Sequence, residues 1–301
     1  MEIYPIAFDS LGVRSMATFI KSYENIFIDP YASLAPKRFG LYPHNIEYDH
    51  LKFFLEKIYK LGKKTDIAIV THYHYDHHPR VHDEDFFESF SNAHFLIKKF
   101  ENEHRSAIVR GKKFVEKLKE YKISYNFADG KEFVYSERIL FSKPVWHGEE
   151  NSKVGRVIMV LINSFLFGSD AQNLMDKKAL NFVIRNKPSK MIIDGFPIVF
   201  LKKFGEEKLK ESNKNIIRII EKISFEWLIL DHHIAREKNF KEKIAEILRF
   251  SLEKNKKVFS AAEFYGLDNL LLEANRKELY NGLKIDIKYY QGRLEKIFSH
   301  V

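Results

Sequence analysis

Short apolar runs alternate with amphipathic stretches along nearly the whole chain. Candidate strands fall at 17–21, 25–29, 66–71, 94–97, 139–142, 156–162, 164–167, 190–194, 227–231 and 257–260. Between them the spacing predicts helices. The clearest is 47–61, where Leu51, Phe54, Leu55, Ile58 and Leu61 make one apolar stripe. Helical periodicity recurs at 105–119, 175–185, 206–223, 237–253 and 269–280. Asp129-Gly130 and Asn281-Gly282 are turn signals. Strands alternating with helices imply an α/β architecture with parallel pairing. No long Pro/Gly/Ser linker, internal repeat or low-complexity tract divides the chain, so one domain over 1–301 is expected. Two stretches are open to two readings: 31–50 as a loop over a pocket or a surface connection, and 98–122 as packing or a lid.

Composition narrows the picture modestly. A chain of 301 residues with 45% hydrophobic content can bury a full core. No apolar run approaches the roughly 20 residues needed to cross a bilayer, so no membrane partner is expected. The N-terminus has no basic segment followed by an apolar core, which points to the cytoplasm. Cysteine is absent, which removes disulfides, thiolate metal ligands and thiol catalysis. The net charge of +9 favours an anionic partner, either a small anionic substrate or nucleic acid. Lysines interleaved with glutamates, as in 112–120, also fit solvated helix faces.

The chemistry concentrates at Thr71-His72-Tyr73-His74-Tyr75-Asp76-His77-His78, directly after the apolar run Ile67-Ala68-Ile69-Val70. Packing does not explain four imidazoles and a carboxylate at the end of a buried strand. Imidazole nitrogen and carboxylate oxygen suit zinc and similar divalent ions. In extended backbone His72 and His74 share a face and can grip one ion. Asp76 and His77 are adjacent, so a turn or helix start is needed to aim both at a second position.

His-x-His-x-Asp-His after an apolar strand resembles the signature of the metallo-β-lactamase superfamily of two-metal hydrolases. Further elements follow in the family's order: Asp29 after an apolar strand, His147, Asp170 in Phe167-Gly168-Ser169-Asp170, and His232 after Trp227–Asp231. The segments 11–15, 28–30, 36–38 and 72–78 are similar to an uncharacterised archaeal branch of predicted metal-dependent hydrolases. The resemblance implies a four-layer αβ/βα sandwich with metals where the two halves meet. It implies that His72, His74 and His147 hold one ion, that Asp76, His77 and His232 hold the other, and that Asp170 bridges them. His233 competes with His232 for the last ligand position. Asp76 is also the expected catalytic proton carrier.

The cofactors so implied are two divalent metal ions, with Zn2+ the first choice and Mn2+ or Fe2+ open. Asp29, Asp194 and Asp231 end apolar strands, where they serve either as turn residues or as acceptors that orient a ligating imidazole. His78, His82, Lys37, Arg38 and Arg236 either face substrate or are simply solvated. The function implied is hydrolysis of an ester, amide or phosphodiester by metal-bound hydroxide. Alternatives are a nuclease acting on RNA or DNA and a non-catalytic metal-binding protein of the same fold. A di-iron redox role is less consistent with the resemblance, because relatives of that kind carry glutamate where His74 stands.

Overall fold

The computed structural model describes residues 1–301. Its strands are β1 (Glu2–Phe8), β2 (Met16–Lys21), β3 (Ile26–Ile28), β4 (Ile67–Val70), β5 (His94–Ile97), β6 (Tyr125–Phe127), β7 (Glu132–Val134) and β8 (Arg138–Phe141). They continue as β9 (Val145–Trp146), β10 (Arg156–Val157), β11 (Val160–Ile162), β12 (Phe165–Phe167), β13 (Lys190–Asp194), β14 (Trp227–Asp231) and β15 (Val258–Phe259). The first sheet runs β1-β2-β3-β4-β5-β6, and the second β15-β14-β13-β12-β11-β8-β7. In each, an antiparallel portion adjoins a parallel one: β3 to β6 are parallel in the first, β12 to β15 in the second.

Strand alternation assigns each sheet two buried faces. In β12 to β14, Phe165, Phe167, Ile192 and Ile229 join one core together with Phe8, Ile26 and Ile69 of the first sheet. Their neighbours Leu166, Met191, Ile193, Leu228 and Leu230 enter a second core with Ala179, Ile216 and Ile247. These three belong to the helices Lys177–Asn186, Glu206–Lys222 and Ala245–Glu253. On the other side, Phe95 of β5 meets Phe86 and Phe114 from the helices Glu84–Ser89 and Arg105–Glu120. The layers therefore run helix, sheet, sheet, helix, which is the αβ/βα sandwich. Each fully buried phenylalanine contributes about 1.5–3 kcal/mol from the apolar area it removes from water.

The helix Asn45–Gly62 carries the β3-to-β4 crossover that a parallel pair requires. His44 caps it and Glu47 closes a capping box. Glu47 is also held by Arg276 at 2.8 Å, both fully buried. Of the two open stretches, the helix Arg105–Glu120 buries Phe114 and Leu118 and is packing rather than a lid. The loop that follows β3 is held down by paired backbone bonds between Arg14 and Ser33 and by an Arg38–Glu237 ion pair.

Several elements differ from expectation. The stretch 237–253 is not one helix: a tight turn at His232–Arg236 leads through extended Glu237 into separate helices Phe240–Lys243 and Ala245–Glu253. Over 269–280 only Arg276–Tyr280 is helical, because Leu270 bonds back to Ser10 and packs with Leu272 and Leu279. The helix Ile287–Phe298, capped by Asp286, and the strand β1 escape the periodicity reading.

Candidate metal centre

The parallel strands of both sheets deliver polar residues at their C-terminal ends, the edge where α/β folds gather functional groups. Asp29 follows β3, Thr71 and His72 follow β4, Asp170 lies just beyond β12, and Asp194 and Asp231 end β13 and β14. A turn supplies the bend needed after His74: the amides of His77 and His78 both donate to the His74 carbonyl, at 3.0 and 3.3 Å. Gly195 lets the chain after β13 press against the turn that bears His232 and His233. A Cβ there would come 2.4 Å from Ile234 Cβ.

The other six expected ligands gather around Asp170. Its Oδ2 lies 3.3 Å from His72 Nε2, 3.9 Å from His74 Nδ1 and 3.0 Å from His147 Nε2. Its Oδ1 lies 3.1 Å from His77 Nε2 and 3.6 Å from His232 Nε2. Asp76 joins that second group, with Oδ1 4.0 Å from His77 Nε2 and Oδ2 3.8 Å from His232 Nε2. His233 also turns a ring nitrogen towards Asp170 and His232. His74 is 30% exposed and Asp76 14%, while the other side chains of the two sets are nearly sealed. The opening therefore lies over those two.

Each buried imidazole is oriented by a second group. Asp29 Oδ2 accepts from His77 Nδ1 at 2.9 Å and from the Thr71 hydroxyl at 2.6 Å, and Thr71 Oγ1 in turn lies 3.2 Å from His72 Nδ1. One carboxylate thus steers an imidazole on each side of Asp170. Asp194 accepts from His233 Nδ1 at 2.9 Å, and the Gln172 amide meets His147 Nδ1 at 3.2 Å. Asp231 orients no imidazole: it accepts the backbone amides of Ser10, His232 and Ala261, and fixes the turn itself.

Two residues were not anticipated in these roles. Asp9 accepts from His232 Nδ1 at 2.7 Å and from Arg236 Nε at 2.7 Å. Arg236, buried, places its other nitrogen 3.2 Å from Asp76 Oδ2 and 3.1 Å from His232 Nε2. The signal for Asp9 was an aspartate ending an apolar run, Ile6-Ala7-Phe8. Lys37 is exposed over the Tyr42 ring, His82 is exposed beside Tyr31 and Asp83, Arg38 is paired with Glu237, and His78 packs among Tyr73, Tyr75 and Phe114.

Electrostatics divides the imidazoles. Burial, then the neighbouring His77, holds His72 well below its ordinary value, and burial also lowers His147. For His77 burial opposes the charge, but the Asp170 and Asp29 carboxylates outweigh it and raise the imidazole well above 6.5. His232 is likewise pushed up to about 10 against burial, chiefly by Asp170 and Asp9. Asp170 itself is held well below the carboxylate range: burial works against ionisation, but His77, His72 and His232 prevail.

The donor set fits divalent cations. His77 Nε2 and Asp170 Oδ1 are both buried, 3.1 Å apart, and neither makes a hydrogen bond. Buried polar atoms without partners are uncommon and costly. Here they aim into a space ringed by further nitrogen and oxygen donors, as a shared cation requires.

No family model matches the chain. It is 39% identical to a UPF0282 protein of Sulfurisphaera tokodaii over 293 residues, covering 93% of each chain. It is 36% identical to a UPF0282 protein of Methanocaldococcus jannaschii over 300 residues, covering 95% of this chain and 99% of the relative. Among solved structures, the metallo-β-lactamase fold protein YhfI of Bacillus subtilis is similar, with 11% identity and a TM-score of 0.47, covering 81% of this chain and 87% of that one.

Proposed function

Proceeding from a chain that belongs to the UPF0282 family of archaeal proteins, we propose that it is a dinuclear metal-dependent hydrolase of an ester, amide or phosphodiester bond in an anionic substrate. The observation that carries this reading is the Asp170 carboxylate, whose two oxygens face two different sets of donors. His72, His74 and His147 would hold one ion with Oδ2. Asp76, His77 and His232 would hold the other with Oδ1. Zinc suits so imidazole-rich a set. Two such ions, when bound, would supply Lewis acidity that lowers the pKa of water and polarises the bond to be cleaved.

The protein's own groups do the rest. Asp29 and Asp9 each accept a hydrogen bond from the Nδ1–H of an imidazole, at His77 and His232, which turns Nε2 toward the space where an ion would sit. Asp170 and Asp76 supply negative charge that offsets repulsion between two cations. Asp76, at the opening, is positioned to take up a proton and pass it to the leaving group. Arg236 Nε stays anchored on Asp9 while its Nη2, now 3.2 Å from Asp76 Oδ2, borders the reaction space, where it can turn to a negatively charged substrate oxygen.

The test compares zinc-reloaded, chelated and His74→Ala protein on 4-nitrophenyl acetate and bis(4-nitrophenyl) phosphate, with metal content measured alongside. About two equivalents of metal per chain and at least a roughly hundredfold loss of turnover in both treated samples are expected. Undiminished hydrolysis after chelation or in the His74→Ala protein would contradict the reading.

A further inference from the structure

A cavity of about 460 Å³ borders the cluster at His147, apart from the opening over His74 and Asp76. Its lining includes His147, Gln172, Phe200, Phe204, Lys153 and Lys203. The larger cavities, near Arg138 and Lys178 (about 650 Å³), near Tyr31 and Asp83 (about 560 Å³) and near Glu56 and Lys63 (about 520 Å³), contain none of the candidate ligands. The one at His147 is the cavity of this size that borders a candidate ligand.

The chemistry of that wall is specific. Phe200 is 54% exposed, unusual for a phenylalanine, and its ring stands edge-on to Phe204 at 6.5 Å. Phe204 is in turn backed by buried Phe196 at 5.8 Å, so the aromatic surface is supported from behind. Glu149, the one acid on the wall, is neutralised by Lys208 at 3.2 Å. Lys153 and Lys203 are exposed, and neither has a carboxylate within salt-bridge distance. The exposed Phe200 ring beside two ammonium groups without carboxylate partners, one of them 5.5 Å from the Phe204 ring centroid, complements a ligand that is both flat and anionic. A ring can stack on phenylalanine while ammonium groups bind phosphate as point charges. The volume lies in the range of small-molecule sites, roughly 300–1,000 Å³, and matches one nucleotide rather than a polymer.

We propose that this cavity is the substrate subsite and that the substrate class is a phosphoester of mononucleotide size, its planar ring stacked on Phe200 and its negative charge toward Lys153 and Lys203. The assignment rests on the cluster being the reaction centre, but it is tested by binding rather than turnover. Isothermal titration calorimetry of zinc-loaded protein would compare AMP, adenosine, ribose 5-phosphate and a six-residue RNA. AMP should bind at least about tenfold tighter than either adenosine or ribose 5-phosphate. Phe200→Ala should weaken AMP about tenfold and leave ribose 5-phosphate unchanged. The Lys153→Ala/Lys203→Ala double variant should shrink the gap between AMP and adenosine.

All three side chains are exposed, so the variants are expected to fold, and thermal melting checks that they do. Equal or absent binding of AMP and its two fragments overturns the subsite, and intact nitrophenyl ester hydrolysis in the same sample shows that the hydrolase reading survives it. RNA binding about a hundredfold tighter than AMP, with a steep salt dependence, overturns the mononucleotide-sized substrate in favour of a polymer.

Discussion

On the Oδ2 side of Asp170, three imidazoles face the carboxylate with no competing cation in contact, and burial keeps His72 and His147 in their neutral, metal-ready form. On the Oδ1 side, His77 and His232 are held charged by carboxylates, and the Arg236 guanidinium touches both Asp76 and His232. The same bridging residue thus joins a set in which burial favours neutral imidazoles to a set that already carries positive charge. The difference teaches that local motif and shared fold do not make the two positions equivalent. The first is preformed; the second must exchange protons and a guanidinium contact for its ion.

The comparison breaks most completely if its hinge is removed. Asp170→Asn keeps the shape but halves the oxygen donors and deletes the charge. Loss of bound zinc from both positions and a fall in turnover of at least about a thousandfold are expected, by elemental analysis and ester kinetics. Retention of one full equivalent would show that the Oδ2 side stands without the bridge.

A remote change should disturb neither side selectively. Arg276→Met strands the buried Glu47 carboxylate at the start of the helix Asn45–Gly62. Stability should drop by about 3–5 kcal/mol in denaturant titration. The ratio of zinc affinities should not change, and a selective loss at one position would mean that the two sides are coupled through the frame.

The acid limit of the frame can be read apart from the cluster. His50, buried, donates from Nε2 to the Leu11 carbonyl at 2.8 Å, and its Nδ1 meets the Gln291 amide at 3.2 Å. Burial holds it at about 4 although the carbonyl bond favours the charged form. The unfolded chain binds this proton more readily, so stability is complete above about 6.5 and declines as pH falls towards 4. Relative to His50→Gln, the native protein should lose about 3 kcal/mol across that window in chemical denaturation. Parallel curves would assign the acid sensitivity to other groups.

The smallest effect bears most closely on the asymmetry. Arg236→Gln removes the competing charge from the Asp76 side. Calorimetric titration of metal-free protein should show the weaker zinc equivalent tightening about tenfold while the stronger one stays within about twofold. An unchanged second affinity would mean that the guanidinium does not guard the position.

Much of this arrangement was readable from the chain, for identifiable reasons. Strands β5, β13 and β14 match their expected bounds residue for residue, because strands covered on both faces are continuous apolar runs. Strand β1 was hidden by Pro5 and by a bulge between Pro5 and Ala7, both features of sheet edges. That omission concealed Asp9 as well: the rule that singled out Asp29 and Asp194 as strand-end acids needed a strand to apply to. The His72–His77 group was legible because its spacing is local. The position of Arg236 was not, since it depends on how the turn after β14 meets Asp9, more than two hundred residues earlier.

The central claim is that one carboxylate joins two cation positions, and anomalous X-ray diffraction from zinc-loaded crystals tests it directly. Two anomalous peaks, one against each oxygen of Asp170 and roughly 3.5–4 Å apart, are predicted. A single peak, or zinc bound away from Asp170, would contradict it.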